Sequence, residues 1–411
     1  MKMGLIVQKF GGTSVADVEK IQNVANRVAE EKENGNDVVV VVSAMGKTTD
    51  HLVDMAQQIS TSPSKREMDM LLTTGEQVTI SLLALALQQK GYDAISYTGW
   101  QAGMVTEPVH GNARILDIKT ERIKKDLAEG RIVVVAGFQG LTEEGEITTL
   151  GRGGSDTTAV ALAAALDADK CDIYTDVTGV YTTDPRYVKG ARKLLGISYD
   201  EMLELANLGA GVLHPRAVEF AKNFGVTLEV RSSMEVERGT LIEEEISMEQ
   251  NLIVRGIAFE DQITRVSIIG LDNSIASLPT IFTTLANHHI NVDIIIQSGT
   301  GTDKANISFS IKSSDLAETL EVLEENKGLL NYEHIESETG LSKVSIVGAG
   351  MISNPGVAAK MFEVLAGEGI QVKMVSTSEI KVSTVVSDEQ MVSAVEALHD
   401  AFELAKVAVS A

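Results

Sequence analysis

The sequence predicts an α/β protein in two parts: a mostly parallel sheet flanked by helices, then a pair of repeated βαββα modules. Three observations carry this. Short β-branched runs alternate with longer helical patterns over about the first 240 residues, as in sheets built from βαβ units. Glycine-rich turns follow three of those runs. Beyond an acidic run at Glu243–Glu245 the pattern changes, and Val266–Ser298 lies over Val344–Ser378 at an offset of 78 that becomes 80. At 411 residues the chain is long enough for two or three domains of ~150 residues.

In the first part, Leu5–Val7, Val38–Val42 and Ile132–Val135 read as central strands. Between them Val18–Glu33, Ser81–Gln89 and Ile118–Leu127 carry 3.6-residue periodicity with charged outer faces and read as covering helices. In the second part, Leu278, Ile281, Phe282 and Leu285 recur as Ala358, Met361, Phe362 and Leu365, so each copy holds an amphipathic helix after its first strand. Alternation at Ile307, Phe309 and Ile311, and again at Val382, Thr384 and Val386, predicts a later strand in each copy. A second helix follows both, and the order βαββα, with room for a closing strand, points to ferredoxin-like modules.

Composition narrows the function. The net charge is -23, with 58 acidic against 35 basic residues, so nonspecific attraction to nucleic acid or an anionic membrane is disfavoured. An anionic ligand would need local cations. The apolar runs are shorter than the ~18 residues of a spanning helix, and no signal-peptide pattern follows Lys2, so a cytoplasmic protein is expected. Cys171 is the single cysteine, which leaves no intramolecular disulfide and no cysteine-cluster metal site. The seven histidines show no metal-ligand spacing.

The most informative local pattern is Gly151-Arg-Gly-Gly-Ser-Asp-Thr-Thr-Ala159, which opens an apolar helix. Gly153 and Gly154 let backbone amides approach an oxygen-rich ligand, Ser155 or Asp156 is expected to cap the helix, and the helix dipole favours an anion there. Arg152 adds a fork that grips a carboxylate or phosphate with two bonds. The plain alternative is a capped helix with nothing bound, and Arg152 tips the balance. Lys9-Phe-Gly-Gly-Thr-Ser-Val15 follows the first strand, where Thr13 or Ser14 is expected to begin a helix. Ser43–Asp50 follows another strand. Ligands in open α/β sheets bind at such strand ends. Thr175–Arg186, with Gly179, Tyr181 and Pro185, is a long shaped loop suited to nucleotide contact or simply to pinning its own backbone.

Two look-alikes are set aside. Gly46-Lys47-Thr48 lacks the first glycine of a phosphate-binding loop, since Val41 stands there, and Gly348-Ala349-Gly350 has Ser353 at the third glycine of a dinucleotide fingerprint.

Taken in order, KFGGTSV, Gly75-Glu76, GRGGSDTTA and TDVTGVYTTDPR, followed by two repeated modules, resemble aspartokinase, most nearly its Bacillus-type lysine-sensitive form. The resemblance implies an amino acid kinase fold over 1–245 and two ACT domains over 264–340 and 341–411. It implies transfer of the γ-phosphoryl group of ATP, with Mg²⁺, to the side-chain carboxylate of L-aspartate, the first step toward lysine, threonine and methionine. By resemblance Lys9 and Asp156 are catalytic. Ser43, Thr48, Glu76, Arg152 and Ser155 bind substrate. Lys9, Phe10, Gly11, Gly12, Thr175, Asp176, Tyr181 and Arg186 surround ATP. A lysine usual in the segment before His214-Pro215 is replaced by Gly211, with Arg216 or Arg186 as substitutes. Rival readings are a kinase of glutamate or its acetylated form, and an inactive amino acid sensor.

The ACT pair implies inhibition by an end product, L-lysine first and L-threonine second. Asp272, Ser274, Asn291, Val292, Asp293 and Gln297 in copy one, with Val372, Lys373 and Glu379 in copy two, are the effector candidates. A homo-oligomer through the ACT domains is implied, and an α2β2 assembly if Met248 serves as an internal start.

Overall fold

The computed structural model describes residues 4–209, 211–244, 252–299 and 304–406. Met248 and the expected boundary near residue 246 lie outside the described residues. The first part is an eight-stranded sheet in the order Gly196–Ser198, Thr240–Glu243, Leu228–Ser232, Lys170–Thr175, Leu5–Phe10, Asp37–Val42, Ile132–Ala136, Ala94–Tyr97. All neighbours run parallel except Leu228–Ser232 with Thr240–Glu243. The valine run Val38–Val42 is wholly buried, because helices cover both faces. Val18–Glu33 and Thr74–Gln89 pack on one face, Gly154–Leu166 and Pro215–Phe224 on the other.

The helices differ locally from expectation. Thr13 and Ser14 form a short 3₁₀ turn, Gly12–Val15, and the helix that follows is capped by Asp17, whose carboxylate accepts from the Lys20 amide at 2.8 Å. Neither Ser155 nor Asp156 caps its helix. Gly153 stands at the N-cap in the left-handed region (φ 68), which leaves both side chains in the first turn and free for other partners. Ile118 ends the strand Ile115–Ile118, paired with Met104, so the expected helix starts only at Glu121. That strand belongs to a small sheet, Ile115–Ile118, Met104–Thr106, Gln139–Leu141, Ile147–Thr149, whose three- and four-residue members are too short for periodicity to reveal.

One helical stretch, Lys65–Gln89, is by length and apolar composition able to cross a membrane, although half of its apolar window is buried inside the protein. It breaks at Thr73 and carries Glu76 into the first cavity, as a core helix of a folded domain does.

The repeats share one six-stranded antiparallel sheet in the order Ile295–Ser298, Lys304–Lys312, Gly256–Asp272, His334–Val347, Lys381–Ser387, Met374–Thr377. Two long strands span both modules. The second half of Gly256–Asp272 is the first strand of copy one, while its opening residues Gly256–Glu260 pair with Lys343–Val347 and close the sheet of copy two. Val254 and Ile257 accordingly pack with Met361, Leu365 and Leu398. Copy two thus takes its closing strand from chain that precedes copy one, outside 341–411.

Candidate functional site

Two cavities open side by side at the C-terminal ends of adjacent strands. The first, about 610 Å³, is lined by the turns after Leu5–Phe10 and Asp37–Val42, by Glu76, and by Gly151–Asp156. The second, about 620 Å³, is lined by Thr175–Val177, Gly179–Tyr181 and Thr183–Tyr187, by Gly209 and Gly211, and by Ile257–Asp261. The Gly11 amide donates to the Tyr174 carbonyl at 3.4 Å, so the two mouths meet at one backbone contact.

In the first cavity Lys9 Nζ lies 2.6 Å from Asp156 Oδ1, both nearly buried, and packs against the Gly11 backbone. Ser43 and Ser155 share a hydrogen bond of 2.9 Å. Gly153 sits against His214: a Cβ there would fall 2.1 Å from the ring, so only glycine brings this backbone so close. Arg152 projects into the cavity exposed, with no ion-pair partner among the described residues. Glu76 is 3% exposed. Its Oε1 accepts from the Ala44 amide at 3.2 Å, whereas Oε2 has no partner. Burial pushes the Glu76 carboxyl up to about 7, with the hydrogen bonds from its own backbone amide and that of Ala44 acting the other way. A buried acceptor left open in a cavity of this size fits an incoming cation.

Not every expected residue faces a cavity. Thr48 turns its hydroxyl to the Met45 carbonyl at 2.6 Å, and Thr49 and Asp50 line the wall instead. Phe10 is fully buried and stacks on Tyr174 at 4.5 Å, so its ring packs beneath the strand ends and lines neither cavity. Thr175, Asp176, Tyr181 and Arg186 all line the second cavity, with Arg186 forked onto Asp184 at 2.6 Å. Arg216 is committed elsewhere: it donates to Asn112 Oδ1 at 2.7 Å and to the Leu150 carbonyl at 2.9 Å, which leaves Arg186 as the cation near Gly211.

Sequence reasoning missed Lys65, Asp69, His110, Asn112 and Phe138 in the first cavity. Asp69, fully buried, accepts from His110 Nδ1 (2.9 Å), the Gly111 amide (3.0 Å) and Thr149 Oγ1 (2.6 Å), and so ties a helix to the loop packed on Gly151. Phe138 has φ 71, a strained conformation for a bulky residue. It lies just past the strand Ile132–Ala136, and the strand-end rule alone would have found it.

The effector candidates fall into separate groups. Asp293 and Lys373 occupy equivalent turns of the two copies. Asp293 pairs with Lys343 at 2.5 Å, and Lys343 also pairs with Glu260 at 2.9 Å. Lys373 pairs with Glu338 at 3.2 Å, which also holds Arg265 at 2.7 Å. Asp272 binds Lys304 at 2.8 Å and Asn331, and Ser274 binds Ser277 at 2.9 Å. Val292 and Val372 pack on their module cores. Asn291, Gln297 and Glu379 are exposed.

The profile of the Amino acid kinase family matches residues 4–232, and that of the ACT domain matches 266–326 and 344–402. An aspartokinase of Bacillus sp. (strain MGA3) is 80% identical over 407 residues, 99% of each chain. Aspartokinase 2 of Bacillus subtilis (strain 168) is 74% identical over 98% of this chain and 99% of its own. The crystal structure of E. coli aspartokinase III with aspartate and ADP superposes with a TM-score of 0.80 at 28% identity, over 97% of this chain and 99% of that one. The chain belongs to the aspartokinase family, and is an aspartate kinase built from an amino acid kinase domain and two ACT domains.

Proposed function

We propose that the first cavity holds L-aspartate and the second holds ATP, so that the phosphoryl group crosses where Gly11 meets Tyr174. The observation that carries this is the Lys9–Asp156 pair at the floor of a cavity lined by Arg152, a cation with no ion-pair partner among the described residues, and by Glu76, whose buried Oε2 has no hydrogen-bond partner among them. Arg152 takes the α-carboxylate and Glu76 the α-ammonium, which leaves the side-chain carboxylate directed at Lys9. That carboxylate is ionised at neutral pH and needs no general base; the task is to bring two anions together. Lys9 and the amide of Gly12 offset the charge of the transferring group, the Gly11 amide being held by the Tyr174 carbonyl, while Asp156 orients Lys9 and Ser155 holds Ser43 at the rim.

The nucleotide lies along Thr175, Asp176, Tyr181 and Arg186. Mg²⁺ would be held chiefly by the phosphates with Asp156 or Asp176 as a carboxylate ligand, where it would draw charge from the phosphoryl oxygens. No group of three His, Cys, Asp or Glu side chains placed to hold a metal ion occurs among the described residues.

The structure of E. coli aspartokinase III with lysine and aspartate is described as its T-state. Here the seam between the copies, at Asp293 and Lys343, is the proposed site of L-lysine, with L-threonine as the second choice. The exposed edge strand Ile295–Ser298, with Ile295 and Ile296 outward, is a pairing surface for an oligomer through the ACT domains. The division at 245, 264–340 and 341–411, the internal start at Met248 giving α2β2, the cytoplasmic location and the place at the head of lysine, threonine and methionine synthesis belong to the same reading.

The test is a crystal structure with ADP and aspartate, paired with kinetics. Aspartate within 4 Å of Arg152 and Glu76, and ADP beside Tyr181 and Arg186, is the expected result; either molecule lodged elsewhere overturns it. Kinetically, Arg152→Ala should raise KM for aspartate and Arg186→Ala should raise KM for ATP.

A further inference from the structure

We propose that His399, in the last helix of the second ACT domain, is a positioning residue for the nucleotide, acting through Thr182. His399 is fully buried on the helix Met391–Ala401, whose other inward residues, Met391, Ala394, Val395 and Leu398, are apolar. Its Nε2 lies 2.9 Å from Thr182 Oγ1, across the boundary between the regulatory and catalytic parts, while its Nδ1 has no hydrogen-bond partner among the described residues. An imidazole in that position costs stability that a leucine would not, and what it brings is one bond to Thr182.

Thr182 is fixed through every polar atom it has. Its hydroxyl also accepts from the Arg192 amide at 3.0 Å, its amide donates to the Arg192 carbonyl at 2.8 Å, and its carbonyl accepts from the Ile257 amide at 2.7 Å. Two of these holds, from His399 and Ile257, come from the regulatory part. The residues on either side, Tyr181 and Thr183, line the second cavity, whose far wall is the regulatory strand Ile257–Asp261. Phe259 on that strand meets Tyr187 edge to face at 5.0 Å. His399 therefore sets the backbone from which Tyr181 and Thr183 reach the ligand. The proposal rests on the nucleotide occupying the second cavity.

The experiment compares His399→Leu, His399→Gln and Thr182→Val in the full-length enzyme by KM for ATP, KM for aspartate, kcat and melting temperature. Loss of one buried hydrogen bond should raise KM for ATP about fivefold to tenfold with KM for aspartate unchanged. Glutamine, whose amide reaches the place of Nε2, should restore most of the loss, and His399→Leu combined with Thr182→Val should be no worse than either alone. KM for ATP within twofold of wild type in both His399→Leu and Thr182→Val overturns the proposal, as does an equal rise for both substrates. If His399→Leu fails to fold, Thr182→Val, close in shape to the native side chain, carries the same comparison. Arg186→Ala and Asp176→Asn separate the two readings. If they leave nucleotide binding untouched, the cavity assignment falls and takes His399 with it; if they weaken it while the His399 and Thr182 variants do not, only the positioning role falls.

Discussion

The first cavity and the seam between the ACT copies are both built from paired charges, yet the pairs are of different kinds. Lys9 and Asp156 are each about one-tenth exposed and have no other ion-pair partner among the described residues, so the pair is committed. At the seam Lys343 is buried, but its partner Asp293 is half exposed and Glu260 a quarter exposed, so one cation is shared between two carboxylates that water also reaches. Burial works against the Lys343 charge, and Asp293 and Glu260 outweigh it, holding the ammonium above its ordinary value. A committed pair fixes a geometry; a shared pair leaves one carboxylate open to exchange with an incoming ammonium group. Chemistry calls for the former and a switchable contact for the latter.

The largest effects should come from the committed site. Arg152→Ala should lower kcat/KM for aspartate about 10³-fold with the melting temperature unchanged, since the exposed Arg152 side chain has no ion-pair partner among the described residues. Lys9→Ala should lose activity at least as fully but also stability, by roughly 3 kcal/mol, because it strands Asp156 in a buried position. Denaturant titration of the two variants side by side checks this contrast. A Lys9→Ala protein as stable as wild type would mean that the pair is not committed.

Next is Glu76. Its carboxyl ionises near 4.5 when unfolded and near 7 when folded, so between these values the folded state keeps a proton that the unfolded state releases. Stability should therefore fall as pH rises through that window, by about 3 kcal/mol in all, and Glu76→Gln should flatten the slope. On the proposed role of Glu76 as partner of the α-ammonium, aspartate binding needs the ionised form, so KM for aspartate should fall as pH rises from 6 to 8, and Glu76→Gln should raise it about 10²-fold and remove that dependence. A wild-type pH profile in Glu76→Gln would end the assignment.

At the seam, Lys343→Met should leave kcat within twofold while shifting the concentration of lysine needed for half-inhibition about tenfold, measured by initial rates with lysine varied. Unchanged inhibition there would remove Asp293 and Lys343 from the effector site. The smallest effect belongs to a fully surface pair such as Lys222 with Asp200, where Lys222→Ala should cost under about 0.5 kcal/mol, within the scatter of thermal melts.

How far the sequence reached differs between the same two regions. Lys9 stands near the end of a strand and Arg152 and Asp156 stand in a glycine turn that opens an apolar helix, while Glu76 follows Gly75 at the start of a helix, and such glycine-marked positions can be read locally. The inward turn of the Phe10 ring was not legible because adjacency in a motif says nothing about which face of a strand a side chain takes. Asp69 and His110 were invisible because they meet across 41 residues through a small sheet too short to leave a periodic trace. At the seam, the repeat revealed that Asp293 and Lys373 are equivalent, but not that their partners, Lys343 and Glu338, lie on a strand shared by both copies.

By itself the sequence determined the parallel core, the two amphipathic repeats and the positions of the glycine turns, because periodicity and turn preference act over a few residues. Only the tertiary structure decided that Gly256–Glu260 closes the sheet of the second repeat while its residues from Ile257 onward wall the second cavity, and that His399 reaches Thr182 across 217 residues. Strand exchange and burial between domains depend on which surfaces meet, and that is a property of the packed chain as a whole.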